Sequence, residues 1–135
     1  MQYIRPVHPK NFDFERGKFN DLVFKKSSDS GMSVFERACA EATSGSICRH
    51  IEVYYSVLSG VPPVFYIIEE EELPTGYDIK PTVSDTGDKC HREVDGVSGK
   101  SIKKAFDNKR ALHLFHICDV AAFRSLTNED VDKWR

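Results

Sequence analysis

The chain has 135 residues, 40% of them hydrophobic and 11% aromatic, which is enough apolar material for one core and one domain of ordinary size. A formal net charge of −2 supplies no global attraction toward nucleic acid or anionic lipid, so nucleic acid is not an expected partner. No apolar run reaches the roughly 18 residues of a spanning helix, and MQYIRPVHPK lacks the apolar stretch of a secretory signal, so the expectation is a cytoplasmic protein without membrane association.

Residues 1–18 read as an extended N-terminal segment. Phe19, Leu22, Val23 and Phe24 then form a short apolar run that predicts a strand ending in SSDSG. Ser33 stands three residues before Glu36, the spacing of a capping box, and predicts a helix from Val34 with Phe35, Ala38, Cys39 and Ala42 on one face. Ile47, Ile51, Tyr54, Tyr55 and Leu58 make a longer apolar stripe opposite Arg49, Glu52 and Ser56, which predicts a second helix ended by Gly60 and Pro62.

Val64 to Ile68 is short, β-branched and aromatic without polar alternation, as expected of a strand covered on both faces at the middle of a sheet. Tyr77, Ile79, Pro81 and Val83 alternate with polar residues, predicting a strand wet on one face. Pro81 places it at an edge, because it offers no ladder N–H. Ile102, Ala105 and Phe106 form a brief helical stripe between Ser101 and Asn108, and Ala111 to Cys118 reads as a strand. Thr127 and Asp130 in capping-box spacing, with Leu126 and Val131 placed as a hydrophobic staple, predict a last helix carrying Trp134.

The fold class that follows is α+β: a single compact domain over 1–135, with a mixed or antiparallel sheet of about four strands packed against two main helices. Cys39, Cys48, Cys90 and Cys118 are widely spaced with no Cys-x-x-Cys pair, an arrangement that suits reduced thiols in a cytosol.

The chemistry-bearing residues concentrate between Thr82 and Gly96. Asp85-Thr86-Gly87 has the form of the aspartic-protease signature, but the chain lacks the all-β context, and Asp88 stands where a small residue is usual. A turn built on Ser84, Asp85, Gly87 and Asp88 accounts for the first half of the stretch. Cys90, His91 and Arg92 are not needed by such a turn. Adjacent Cys90 and His91 cannot form a dyad in an extended segment, because neighbouring side chains point to opposite faces.

Two enzymatic readings compete with that loop. Asp78-Ile79-Lys80, with Glu69 or Glu70 on the preceding strand, has the acid-x-Lys form of a metal-dependent nuclease. Cys118 and Arg124 in CDVAAFRS have the Cys-x5-Arg form of a phosphatase loop, although the loop has no glycine and Asp119 adjoins the thiol. Cys48, His50, Cys90, His91, His113, His116 and Cys118 lack the spacing of a structural zinc module, so no metal is assigned, and no cofactor is implied. GVSGKS has too few residues between its glycines for a phosphate-binding P-loop. The expected function is a small binding or regulatory protein that meets a protein partner through Asp85, Asp88, Cys90, His91 and Arg92.

Overall fold

Val64, Tyr66 and Ile68 point to one side of a sheet and Phe65 and Ile67 to the other, and each side meets its own apolar cluster. A strand buried on both faces has no polar alternation to show, which is why this run is continuous in sequence. The computed structural model describes residues 1–24, 31–55, 60–82 and 87–134. They form one α+β unit around a six-stranded antiparallel sheet in the order β6-β7-β4-β1-β5-β8.

The strands are β1 (Gln2–Val7), β4 (Met32–Glu36), β5 (Val64–Glu69), β6 (Asp78–Pro81), β7 (His91–Asp95) and β8 (Phe115–Ile117), with β2 (Phe12–Asp13) and β3 (Lys18–Phe19) in a separate ribbon. Helices α1 (Arg37–Ser44) and α2 (Ile47–Tyr54) cover one face through Ala40, Ile47 and Ile51, which pack on Ile4, Phe35 and Phe65. Helices α3 (Gly99–Ala111) and α4 (Val120–Arg124) cover the other through Ile102, Phe106 and Phe123. The last helix is α5 (Asn128–Trp134). No helix among the described residues is long and apolar enough to cross a membrane.

Several elements follow the local rules. The β6 strand is an edge, with Ile79 packed on the core and Asp78 and Lys80 exposed. Thr127 Oγ1 accepts from the Asp130 amide while Asp130 Oδ2 accepts from the Thr127 amide, so the capping box of α5 is formed. Ser46 caps α2 by accepting from Arg49 N–H. Leu58 of the predicted stripe and Val83 of the predicted β6 alternation lie outside the described residues.

Elsewhere tertiary pairing overrides the local pattern. The N-terminal segment is not merely extended, since Gln2–Val7 is an interior strand between β4 and β5. Its pairing with β4 is confined to Tyr3 and Ile4, before Pro6, whose ring nitrogen has no hydrogen to donate. There the Arg5 guanidinium donates to Ser33 O at 2.7 Å and its Nε to Val23 O at 3.0 Å.

The Ser33 and Glu36 spacing does not open a helix either. Met32 and Val34 pack on one face of the sheet and Phe35 on the other, and the helix starts only at Arg37. The Phe19 to Phe24 run divides into β3 and a 3-10 turn over Asp21–Phe24. β5 lies second from an edge rather than at the centre, which β4 and β1 occupy. The brief stripe around Ile102 is a 13-residue helix capped by Ser98, and the expected Ala111 to Cys118 strand shrinks to three residues. A left-handed His113 (φ 57°) lies between the two.

The cysteines correct the expectation of reduced thiols. Cys39 is bonded to Cys90 and Cys48 to Cys118, with Cα separations of 5.6 and 5.7 Å. The first tie joins α1 to the residue before β7, and the second joins the first turn of α2 to the residue after β8. Wide sequence spacing concealed these pairs because the sheet order brings the partners together.

Candidate functional site

The end of α1, the buried side of α2 and the segment leading into β7 converge on one carboxylate. Asp88 Oδ1 accepts from His50 Nε2 at 2.9 Å and from the Cys90 amide at 2.9 Å, and Oδ2 accepts from the Tyr55 hydroxyl at 3.4 Å. The other ring nitrogen of His50, Nδ1, meets Ser44 Oγ at 2.8 Å. Neither His50 nor Asp88 has any exposed surface. Thr43 Oγ1 lies 3.7 Å from Cys90 Sγ, so the Cys39–Cys90 disulfide adjoins the network.

Local sequence explains the placement. His50 falls one turn after Ile47 and beside Ile51 on the core side of α2, where its ring sits 4.7 Å from both Phe35 and Tyr54. Ser44 ends α1 just before Gly45, whose φ of 87° lets the chain reverse into α2. Burial, followed by the charge and hydrogen bond of Asp88, pushes the Tyr55 hydroxyl well above the ordinary tyrosine range, with Arg5 pulling the other way. Burial lowers Arg5 itself to about 10, and Tyr55 opposes that shift, so the guanidinium stays cationic at neutral pH.

The order serine, histidine, aspartate is that of a hydrolytic proton relay. In such a relay the histidine also faces the leaving group that takes its proton, and His50 has no exposed edge. His50, Asp88 and Cys90 are also the one group of three metal-ligating residues within mutual reach among the described residues. They do not fit a metal, because the Cys90 sulfur is in a disulfide and the other two bond each other directly. The network is a structural tie.

The residues expected to form a recognition loop divide accordingly. Asp85 lies outside the described residues. Asp88 and Cys90 point inward, and His91, only 7% exposed, has Nδ1 2.6 Å from Thr82 Oγ1. Arg92 pairs with Glu36 at 3.3 Å and donates to the carbonyls of Lys89 and His91. The stretch is therefore more than a turn: residues 91–95 are β7, paired with both β4 and β6.

The enzymatic alternatives are not assembled. Cys118 is bonded to Cys48 and so is not the thiolate that a phosphatase loop requires, while Arg124 is exposed at the end of α4. Lys80 pairs with Asp95 at 3.3 Å, and Asp78 stands opposite Asp95. Glu69 ends β5, which is separated from β6 by β7, β4 and β1, so the nuclease acids do not lie on adjoining strands.

Sequence reasoning passed over Ser44 and Arg5, named Tyr55 only as part of an apolar stripe, and considered His50 only as a zinc ligand. A histidine on the apolar side of a helix was the available signal for His50. The chain matches no protein-family model, no curated protein and no solved structure.

Proposed function

We propose that the protein is a recognition module that binds a protein partner through the corner made by Thr82, residues 87–92 and the adjoining β6 edge. The observation that carries this reading is the density of anchors behind that corner. Asp88 is tied to α2, Cys90 to α1, His91 to Thr82 and Arg92 to Glu36. A segment held this way loses little conformational freedom when it binds, so more of the contact energy appears as affinity. Buried polar ties also suit positioning better than proton transfer, since none of these groups needs to reach a substrate.

Around the anchors stand exposed side chains of both signs, Asp78, Lys80 and Lys89. A partner complementary to them would be steered electrostatically and held in a salt-dependent way. The test is photo-crosslinking from position 89, followed by reconstitution with the purified partner so identified. Lys80→Glu and Lys89→Glu should each raise Kd at least about tenfold at an unchanged melting temperature, which is about 1.4 kcal/mol of binding energy. Leu114→Ser, at the opposite edge of the sheet, should leave Kd unchanged. If the corner variants bind like the parent while Leu114→Ser does not, the recognition surface lies elsewhere.

A further inference from the structure

The two disulfides differ in their surroundings. Both pack on the apolar cluster under α1 and α2, and Cys39 is half-buried, but its partner Cys90 has no exposed surface. Cys48 and Cys118 are both half-buried and line an open cleft of about 510 Å³ with Glu52, Val61, Pro63 and Asp119. We infer that Cys48–Cys118 is a thiol-exchange site, opened in this cleft by small neutral or cationic thiols, whereas Cys39–Cys90 is structural.

The direction of attack follows from the two ends. Cys48 is the second residue of α2, where the aligned peptide dipoles favour a negative charge, so it is the better leaving thiolate. Cys118 precedes Asp119, whose carboxylate caps α4 by accepting from Ala122 N–H and disfavours a thiolate beside it. An incoming thiolate therefore bonds to Sγ of Cys118, the Cys118–Cys48 bond breaks, and its electron pair leaves on Cys48. A second external thiolate then attacks the sulfur of the first, the bond between that sulfur and Cys118 breaks, and its electron pair leaves on Cys118. Two external thiols are oxidised to their disulfide, and the protein gains two electrons and two protons as a dithiol.

The cleft also sets the class of thiol. Glu52 and Asp119 both line it; Arg49 pairs with Glu52 at 3.4 Å and offsets its charge, so the carboxylate of Asp119 makes the local field acidic. Anionic thiols are repelled from such a cleft and cationic ones are drawn in, less so as salt rises.

The test uses the wild-type protein. It is mixed with cysteamine or with 3-mercaptopropionate, quenched with an alkylating agent at intervals, and mapped by peptide mass spectrometry. The expected result has Cys48–Cys118 opening at least tenfold faster than Cys39–Cys90, with the transient adduct on Cys118 and the alkyl group on Cys48. Cysteamine should outpace mercaptopropionate by more than it does on a small reference disulfide, with the excess shrinking in salt. A Cys48→Ser variant should carry a stable cysteamine adduct at Cys118 in the presence of cystamine. Equal opening of both disulfides, adducts on Cys48, or rates indifferent to the charge of the thiol would each overturn the assignment.

Discussion

His50 and Asp88 are 38 residues apart in the chain and meet at 2.9 Å with no exposed surface on either. This contact fixes α2 against the segment entering β7, and through the Cys90 amide it fixes the approach to the Cys39–Cys90 disulfide. A buried pair of this kind costs desolvation to form, so its removal one partner at a time is the informative experiment.

Asp88→Ala leaves His50 Nε2, the Tyr55 hydroxyl and the Cys90 amide without their shared acceptor. The expected loss of stability is about 3–5 kcal/mol, read from urea unfolding midpoints. Asp88→Asn keeps one oxygen for His50 and Cys90 and should lose roughly half as much. A loss below about 0.5 kcal/mol for Asp88→Ala would show that the network is not a tie.

What was legible in the sequence was what local rules decide. Thr127 and Asp130 cap α5 through neighbours three residues away, and the Val64 to Ile68 run announces a strand buried on both faces. β1 was hidden because Arg5 and Pro6 break its alternation, and its partners β4 and β5 are remote in sequence. Ser33 and Glu36 suit a helix start as well as a strand, and only the burial of Val34 and Phe35 on opposite faces decides. Within the site, Asp88 and His91 were named but given outward roles. Their actual partners, His50 and Thr82, approach them only once the sheet and α2 are assembled.

Tyr66 carries a pH prediction. Its hydroxyl is buried with no hydrogen-bond partner among the described residues, and burial raises its pKa to about 12, with Arg110 pulling downward. Because the folded value lies above the unfolded one, the contribution of neutral Tyr66 to stability is fully present below about pH 10 and is lost as pH rises through 12. Tyr66→Phe removes both the unpaired hydroxyl and this alkaline loss. It should be neutral or stabilising by up to about 1 kcal/mol at pH 7. Thermal melts between pH 7 and 11 should then fall less steeply for the variant than for the parent. A clear loss at pH 7 would mean that the hydroxyl is usefully bonded.

The last prediction concerns Gly31, immediately before β4. A Cβ built there would collide with Val94 O and lie 2.8 Å from Val94 C, and these are backbone atoms of β7 that cannot rotate away. Val94 is paired with Met32 on one side and Ile79 on the other, so relief of the clash must part β7 from β4 or drag β6 with it. Gly31→Ala should therefore cost about 1–3 kcal/mol, the range for overpacking a filled site. Stiffening of the unfolded chain acts in the opposite direction, by about 0.4–1 kcal/mol, so a net loss reports the clash, and hydrogen exchange locates it. If the clash parts the strands, amide protection falls further in β7 and β6 than in α3, whose amides follow only the global loss. A fall in β7 and β6 no larger than that in α3 would show that the β4 to β7 junction stays intact.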